Sequence, residues 1–159
     1  MTSTASASEL PGIHGFLAGF HRRQASRTVD FPAESWRRIA PDVAEEHLHD
    51  LVERRAARRH GAEVVRFLAA YSADGEVAAW ADLYLDPATG VAQIEDLVTA
   101  GAHLGKGHAG AVLDTALSIA ADAGCTTRFL TARPDDWPHR WYGRKGFEVV
   151  GSVSRFERS

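Results

Sequence analysis

Between Ala62 and Ala100 apolar and polar positions alternate with a period close to two, whereas on either side of that stretch the apolar positions recur every three or four residues. The first rhythm is that of half-buried strands and the second that of amphipathic helices. "AEVVRFLAAYS" reads as a strand, "ADG" as a turn, "EVAAWADLYLD" as a second strand, "PATG" as another turn and "VAQIEDLVTA" as a third strand, which together make an antiparallel meander. Upstream, "IHGFLAGFHRRQA" (13–25) carries Ile13, Phe16, Leu17 and Phe20 at helical spacing, and "FPAESWRRIA" is a short second helix. "PDVAEEHLHDLVERRAARRH" is a stronger one: Pro41 suits its first turn, Asp42, Glu45 and Glu46 are acidic near its start, and Leu48, Leu51 and Val52 form its stripe. Downstream, Val112, Leu113, Ala116, Leu117 and Ala120 share one helical face. "TTRFLTA" is a strand, "DDWPHRWYGRK" a short helix around Pro138, and "FEVVGSVSRFE" a final extended pair bent near Gly151. The order predicts an α/β (α+β) fold with a mixed, mostly antiparallel sheet flanked by helices.

Length fits that outline to one domain. Of 159 residues, 13–159 suffice for a single hydrophobic core and 1–12, small and polar, read as a flexible segment. Those first residues lack the basic and apolar regions of a secretory signal, no apolar run approaches a membrane span, and the expected compartment is the cytoplasm. The single cysteine, Cys125, excludes an internal disulfide and a cysteine-based zinc site, and reads as a small core residue. A net charge of −3 does not recommend a nucleic-acid partner. The basic run Arg54–His60 reads as a solvated helix end matched to the helix dipole rather than as a binding patch.

Chemistry enters at "HLGKGHAGAVLDTAL", where Gly105 and Gly107 open an apolar-periodic segment. Each glycine costs a helix roughly 1 kcal/mol relative to alanine. Such a turn is also a ready anion site, because unpaired N–H donors and the helix dipole point outward. Lys106 and the flanking His103 and His108 add positive charge, for which phosphate is a better partner than a metal. A P-loop would follow Gly-Lys with Ser or Thr, but His108 and Ala109 stand after Lys106-Gly107, so no hydroxyl serves magnesium. A Rossmann turn would need a parallel βαβ unit, whereas the strands before this turn form a meander.

In its context the turn does match a pattern. "IEDLVTAGAHLGKGHAGAVL" resembles motif A of the GNAT superfamily of N-acetyltransferases, in which a strand ending in an L-x-V-like triplet leads to an [R/Q]-x-x-G-x-[G/A] turn. Here the triplet is Leu97-Val98-Thr99 and the turn Leu104-Gly105-Lys106-Gly107-His108-Ala109. "WYGRKGFEVVG" is similar to a second signature of that family, with Tyr142 and Gly146-Phe147 in register, so the resemblance runs from Ala62 to the last residue. It departs from the family at Leu104, where Arg or Gln is usual, and at the N-terminus, where a first strand is lacking, atypical, formed by "TVDF" (28–31) or supplied by a partner chain in a homodimer.

The resemblance implies acetyl transfer from acetyl-CoA, without a covalent enzyme intermediate, to the amine of a small molecule or protein; no metal and no membrane is involved. The runner-up is a non-catalytic acyl-CoA-binding module acting as a sensor or partner subunit. His103, Leu104, Gly105, Lys106, Gly107, His108, Ala109 and Gly110 would hold the pyrophosphate, and the backbone of Leu97, Val98 and Thr99 the pantetheine and thioester carbonyl. An amine neutral only about once in 10³ at pH 7 profits from a base. Glu95 and Asp96 qualify, and strand alternation puts them on opposite faces. Glu95 shares its face with Gln93, Leu97 and Thr99, the parity at which family members often carry the base. Asp96 sits between Ile94 and Val98, as a structural group or a base of raised pKa. Tyr142 stands where the family protonates the departing thiolate. Trp80, Asp82 and Trp137, with Trp141 nearby, are candidates for the acceptor site.

Overall fold

A computed structural model describes residues 42–154. The helices expected over 13–25 and 31–40, the strand expected at 28–31 and Pro41 lie outside the described residues. The chain then runs α1 (Glu45–Ala57), a 3-10 turn (Arg58–His60), β1 (Val64–Tyr71), β2 (Val77–Asp86), β3 (Val91–Thr99), a 3-10 turn (Gly101–His103), α2 (His108–Asp122), β4 (Thr127–Leu130) and α3 (Trp137–Arg144).

The meander forms as the alternation requires. β1–β2 and β2–β3 are antiparallel, and β4 returns parallel to β3 after α2, giving the order β1-β2-β3-β4. β2 is buried on both faces. Ala79, Ala81, Leu83 and Leu85 meet Val112, Leu113, Ala116, Leu117 and Ala120 of α2, a cluster that also takes in Cys125. The alanines let helix and sheet approach closely, while Leu113, fully enclosed, contributes about 1.5–3 kcal/mol. On the opposite face Trp80 packs with Leu48 of α1 and Ala100, and Tyr84 with Val91 and Phe129. α1 therefore buries the stripe Leu48, Leu51, Val52 against the sheet.

α3 forms around Pro138 as expected and starts at a cap: the Asp136 carboxylate accepts from the Trp137 N–H at 2.8 Å, and Pro138 occupies the first turn. The final extended pair is not formed among the described residues. Residues 147–154 join no strand, and Val149 and Val153 are exposed. The segment has strand composition but no ladder partner among the described residues, and unpaired extended backbone is not a strand. No described helix is long and apolar enough to cross a membrane.

Candidate active site

β3 is regular only in its first half. Val91–Ile94 pair with Thr127–Leu130 of β4; beyond Ile94 and Leu130 the two strands part, leaving that side of residues 95–99 open. On its other side β3 bulges. Asp82 pairs with Glu95 but Trp80 with Val98, so Asp96 and Leu97 together stand against Ala81. Asp96 takes φ +49°, and is the one non-glycine residue with a positive φ among those described. Aspartate is one of the few side chains that tolerate this region.

The bulge reverses the face of everything after it. Gln93 and Glu95 oppose Tyr84 and Asp82 on the α1 side, whereas Leu97 packs into the α2 cluster and Val98 joins Trp80. The expectation that Glu95 shares a face with Leu97 and Thr99, with Asp96 turned to the opposite face, is thus corrected. Strict alternation assumes an unbroken pleat, and the extra residue breaks it.

Glu95 and Asp96 instead converge on one guanidinium. Arg58 places Nη1 3.4 Å from Asp82 Oδ2 and Nη2 3.6 Å from Glu95 Oε2, and its Nη1 also donates to Asp96 Oδ2. Tyr84 donates its hydroxyl to Asp82 Oδ2 at 3.1 Å. Arg58 is 6 % exposed, so the basic run is not uniformly solvated and that expectation is corrected at this residue. Burial alone would push its guanidinium pKa down; Asp96 foremost, then Tyr84, Glu95 and Asp82, outweigh burial and hold it above its ordinary value. The signal for Arg58 lay in spacing. It stands seven residues after Leu51, two turns along the buried stripe, while its neighbours Arg59 and His60 are exposed.

Beyond β3 the chain makes the glycine turn. Gly105 and Gly107 have φ of +73° and +87°, and Gly107 caps α2 in the left-handed region. Among the described residues no acceptor takes the N–H groups of Gly105, Gly107, His108, Ala109 or Gly110; the ladder begins with Ala111 N–H to Gly107 O. A Cβ on Gly105 or Gly107 would meet no atom within 4 Å, so the space before these donors is open. Lys106 and Leu104 are exposed, Leu104 by 61 %. His103 and His108 meet edge to face at 5.7 Å, and His103 Nε2 lies 3.7 Å from Glu76 Oε2. The donor set and the open space fit an anionic pyrophosphate.

Tyr142, on α3, is half-buried between Trp141 and Phe147, with ring centroids at 5.1 and 5.9 Å. Burial pushes its phenol pKa above the ordinary value. It lines a cavity of about 450 Å³ together with Leu130, His139 and Val150, and Leu130 is also the last β4 residue paired to β3. The cavity lies between the end of β4, α3 and residues 147–153. Trp80 and Asp82 are enclosed at 3 % and 0 % exposure, beside the carboxylates rather than on an open surface, and Trp137 is exposed by 67 %.

The Acetyltransferase (GNAT) family profile matches residues 27–147. A crystal structure of a transcriptional regulator from Bacillus halodurans C-125 superposes with a TM-score of 0.62 at 20 % identity, covering 83 % of this chain and 97 % of that one. An acetyltransferase of Trypanosoma brucei does so with 0.57 at 20 % identity, over 83 % and 99 %. AAC(6')-Iy in complex with the bisubstrate analog CoA-S-monomethyl-acetylneamine gives 0.58 at 16 % identity, over 84 % and 96 %. No curated protein matches the chain by sequence.

Proposed function

This chain belongs to the GNAT acetyltransferase family, and from that premise we propose that it moves the acetyl group of acetyl-CoA directly onto the amine of a small molecule or protein. One observation carries the proposal: beyond Ile94, where its pairing to β4 ends, β3 carries Glu95 and Asp96 and then leads into a turn of N–H donors that no backbone acceptor takes.

The N–H groups of Gly105, Gly107, His108, Ala109 and Gly110 hold the pyrophosphate, with the Lys106, His103 and His108 side chains beside it and the helix dipole behind it. The backbone of Leu97, Val98 and Thr99, released from β4, binds the pantetheine and donates to the thioester oxygen as charge develops there. Glu95 takes a proton from the amine, directly or through water, as nitrogen attacks the carbonyl carbon. The C–S bond then breaks and the Tyr142 hydroxyl gives its proton to the thiolate. Burial favours the neutral phenol, the form an acid needs. Trp80, Asp82 and Trp137 are assigned to the acceptor side, the first two enclosed and Trp137 exposed. AAC(6')-Iy in its complex with an acetylneamine analog lends weight to a small amine as acceptor.

Leu104 favours a second reading, an acyl-CoA-binding module without turnover, because an exposed apolar side chain stands where the family usually has Arg or Gln. Calorimetric titration with acetyl-CoA, beside Gly107→Glu, tests the cradle. Micromolar binding lost in the variant supports it; absence of binding to the unaltered protein overturns both readings. Release of CoA thiol across a panel of amines separates enzyme from module.

A further inference from the structure

We infer that Arg58, in the turn that ends α1, is a positioning residue for acetyl transfer: it keeps the Glu95 carboxylate ionised and aimed while Asp82 and Asp96 occupy the same corner. The inference rests on the reading of Glu95 as base. Asp82 and Glu95 are cross-strand partners, and like charges directly opposed in a sheet repel. The bulge adds a third carboxylate, Asp96, to the same place. The charged and titratable groups facing Glu95 among the described residues are Arg58 after α1, Asp82 and Tyr84 on β2, and Asp96 on β3. Arg58 is the cation that reaches all three carboxylates. Its planar fork serves two strands at once, with Nη1 on Asp82 and Asp96 and Nη2 on Glu95, whereas a lysine would present one point charge.

Removing the guanidinium leaves the carboxylates to compete for protons. In Arg58→Met the titration midpoint of Glu95, followed by carboxyl ¹³C NMR on the full chain and assigned with Glu95→Gln, is expected to rise by about one to three pH units. The acid limb of kcat/KM should rise with it, so that activity is lost in mildly acidic solution where the unaltered protein keeps it, and returns as pH rises. Arg58→Lys keeps the charge but not the fork: its midpoint stays near that of the unaltered protein while kcat falls by up to about 10²-fold, with KM for acetyl-CoA unchanged. A midpoint that does not move in Arg58→Met overturns the inference, as does a moved midpoint with an unmoved kinetic limb. Should Arg58→Met fail to fold, Arg58→Lys decides, and an unchanged kcat there overturns it. If the unaltered protein acetylates no amine, the functional reading fails by itself, and the titration still settles whether Arg58 holds Glu95 ionised.

Discussion

Single side chains in this protein take their chemistry from what encloses them. Tyr142 has aromatic rings on two sides and a cavity before it, and burial raises its pKa. A phenol so placed stays protonated through the neutral range; a role as acid is lost only as pH climbs through that raised value, above the ordinary 10 or so. Tyr142→Phe should therefore keep the fold, since both ring contacts survive, yet lower kcat by about 10²- to 10⁴-fold. Steady-state rates beside a thermal melt check this; an unchanged kcat would remove Tyr142 from the chemistry. Tyr142 was legible in the sequence because it sits in a local signature. Arg58 was not. Its spacing from Leu51 marks it for burial, but its partners lie 24 to 38 residues away, at Asp82, Glu95 and Asp96, and no local pattern names them.

At the scale of elements the legible features are again those written in adjacent residues. Gly105 and Gly107 announce their turn because glycine readily takes a positive φ. α2 announces its buried face through spacing, and α3 its start through Asp136 and Pro138. The β3 bulge arises from pairing between strands, and alternation along one strand hides it. For the same reason 147–154, composed like a strand, is none among the described residues. The bulge makes its own demand on sequence. At φ +49° Asp96 can be replaced by Asn more readily than by a β-branched residue, although both replacements remove the charge facing Arg58. Asp96→Val should thus be less stable than Asp96→Asn by about 1–2 kcal/mol in urea unfolding. Equal stabilities would mean that the bulge relaxes.

Across the whole molecule, the sheet divides the interior into two environments. The α2 side carries an apolar cluster in which the Cys125 thiol is pushed up by burial. The α1 side holds Trp80 and Tyr84 beside the Arg58 cluster. Tyr84 is fully enclosed. Desolvation above all, with the adjacent Asp82 charge, drives its pKa upward, and Arg58 only partly offsets the rise. Both groups are raised in the folded state, so their contribution to stability is complete below their ordinary values and is lost as pH rises above them. In the unfolded chain the thiol releases its proton near pH 8.5 and the phenol near 10, while the folded chain retains both. Stability should therefore decline gently above about pH 8.5 and more steeply above 10, by about 1.4 kcal/mol per pH unit for each group deprotonated only on unfolding. Tyr84→Phe separates the two. It should destabilise the protein at pH 7, because Asp82 loses its 3.1 Å hydrogen bond from the phenol, yet flatten the decline above pH 10. Denaturant midpoints at pH 7, 9 and 10.5 on both proteins measure it. Parallel curves would mean that the folded core admits the phenolate, and that the site's negative charge is less confined than the enclosure of Tyr84, Asp82 and Arg58 implies.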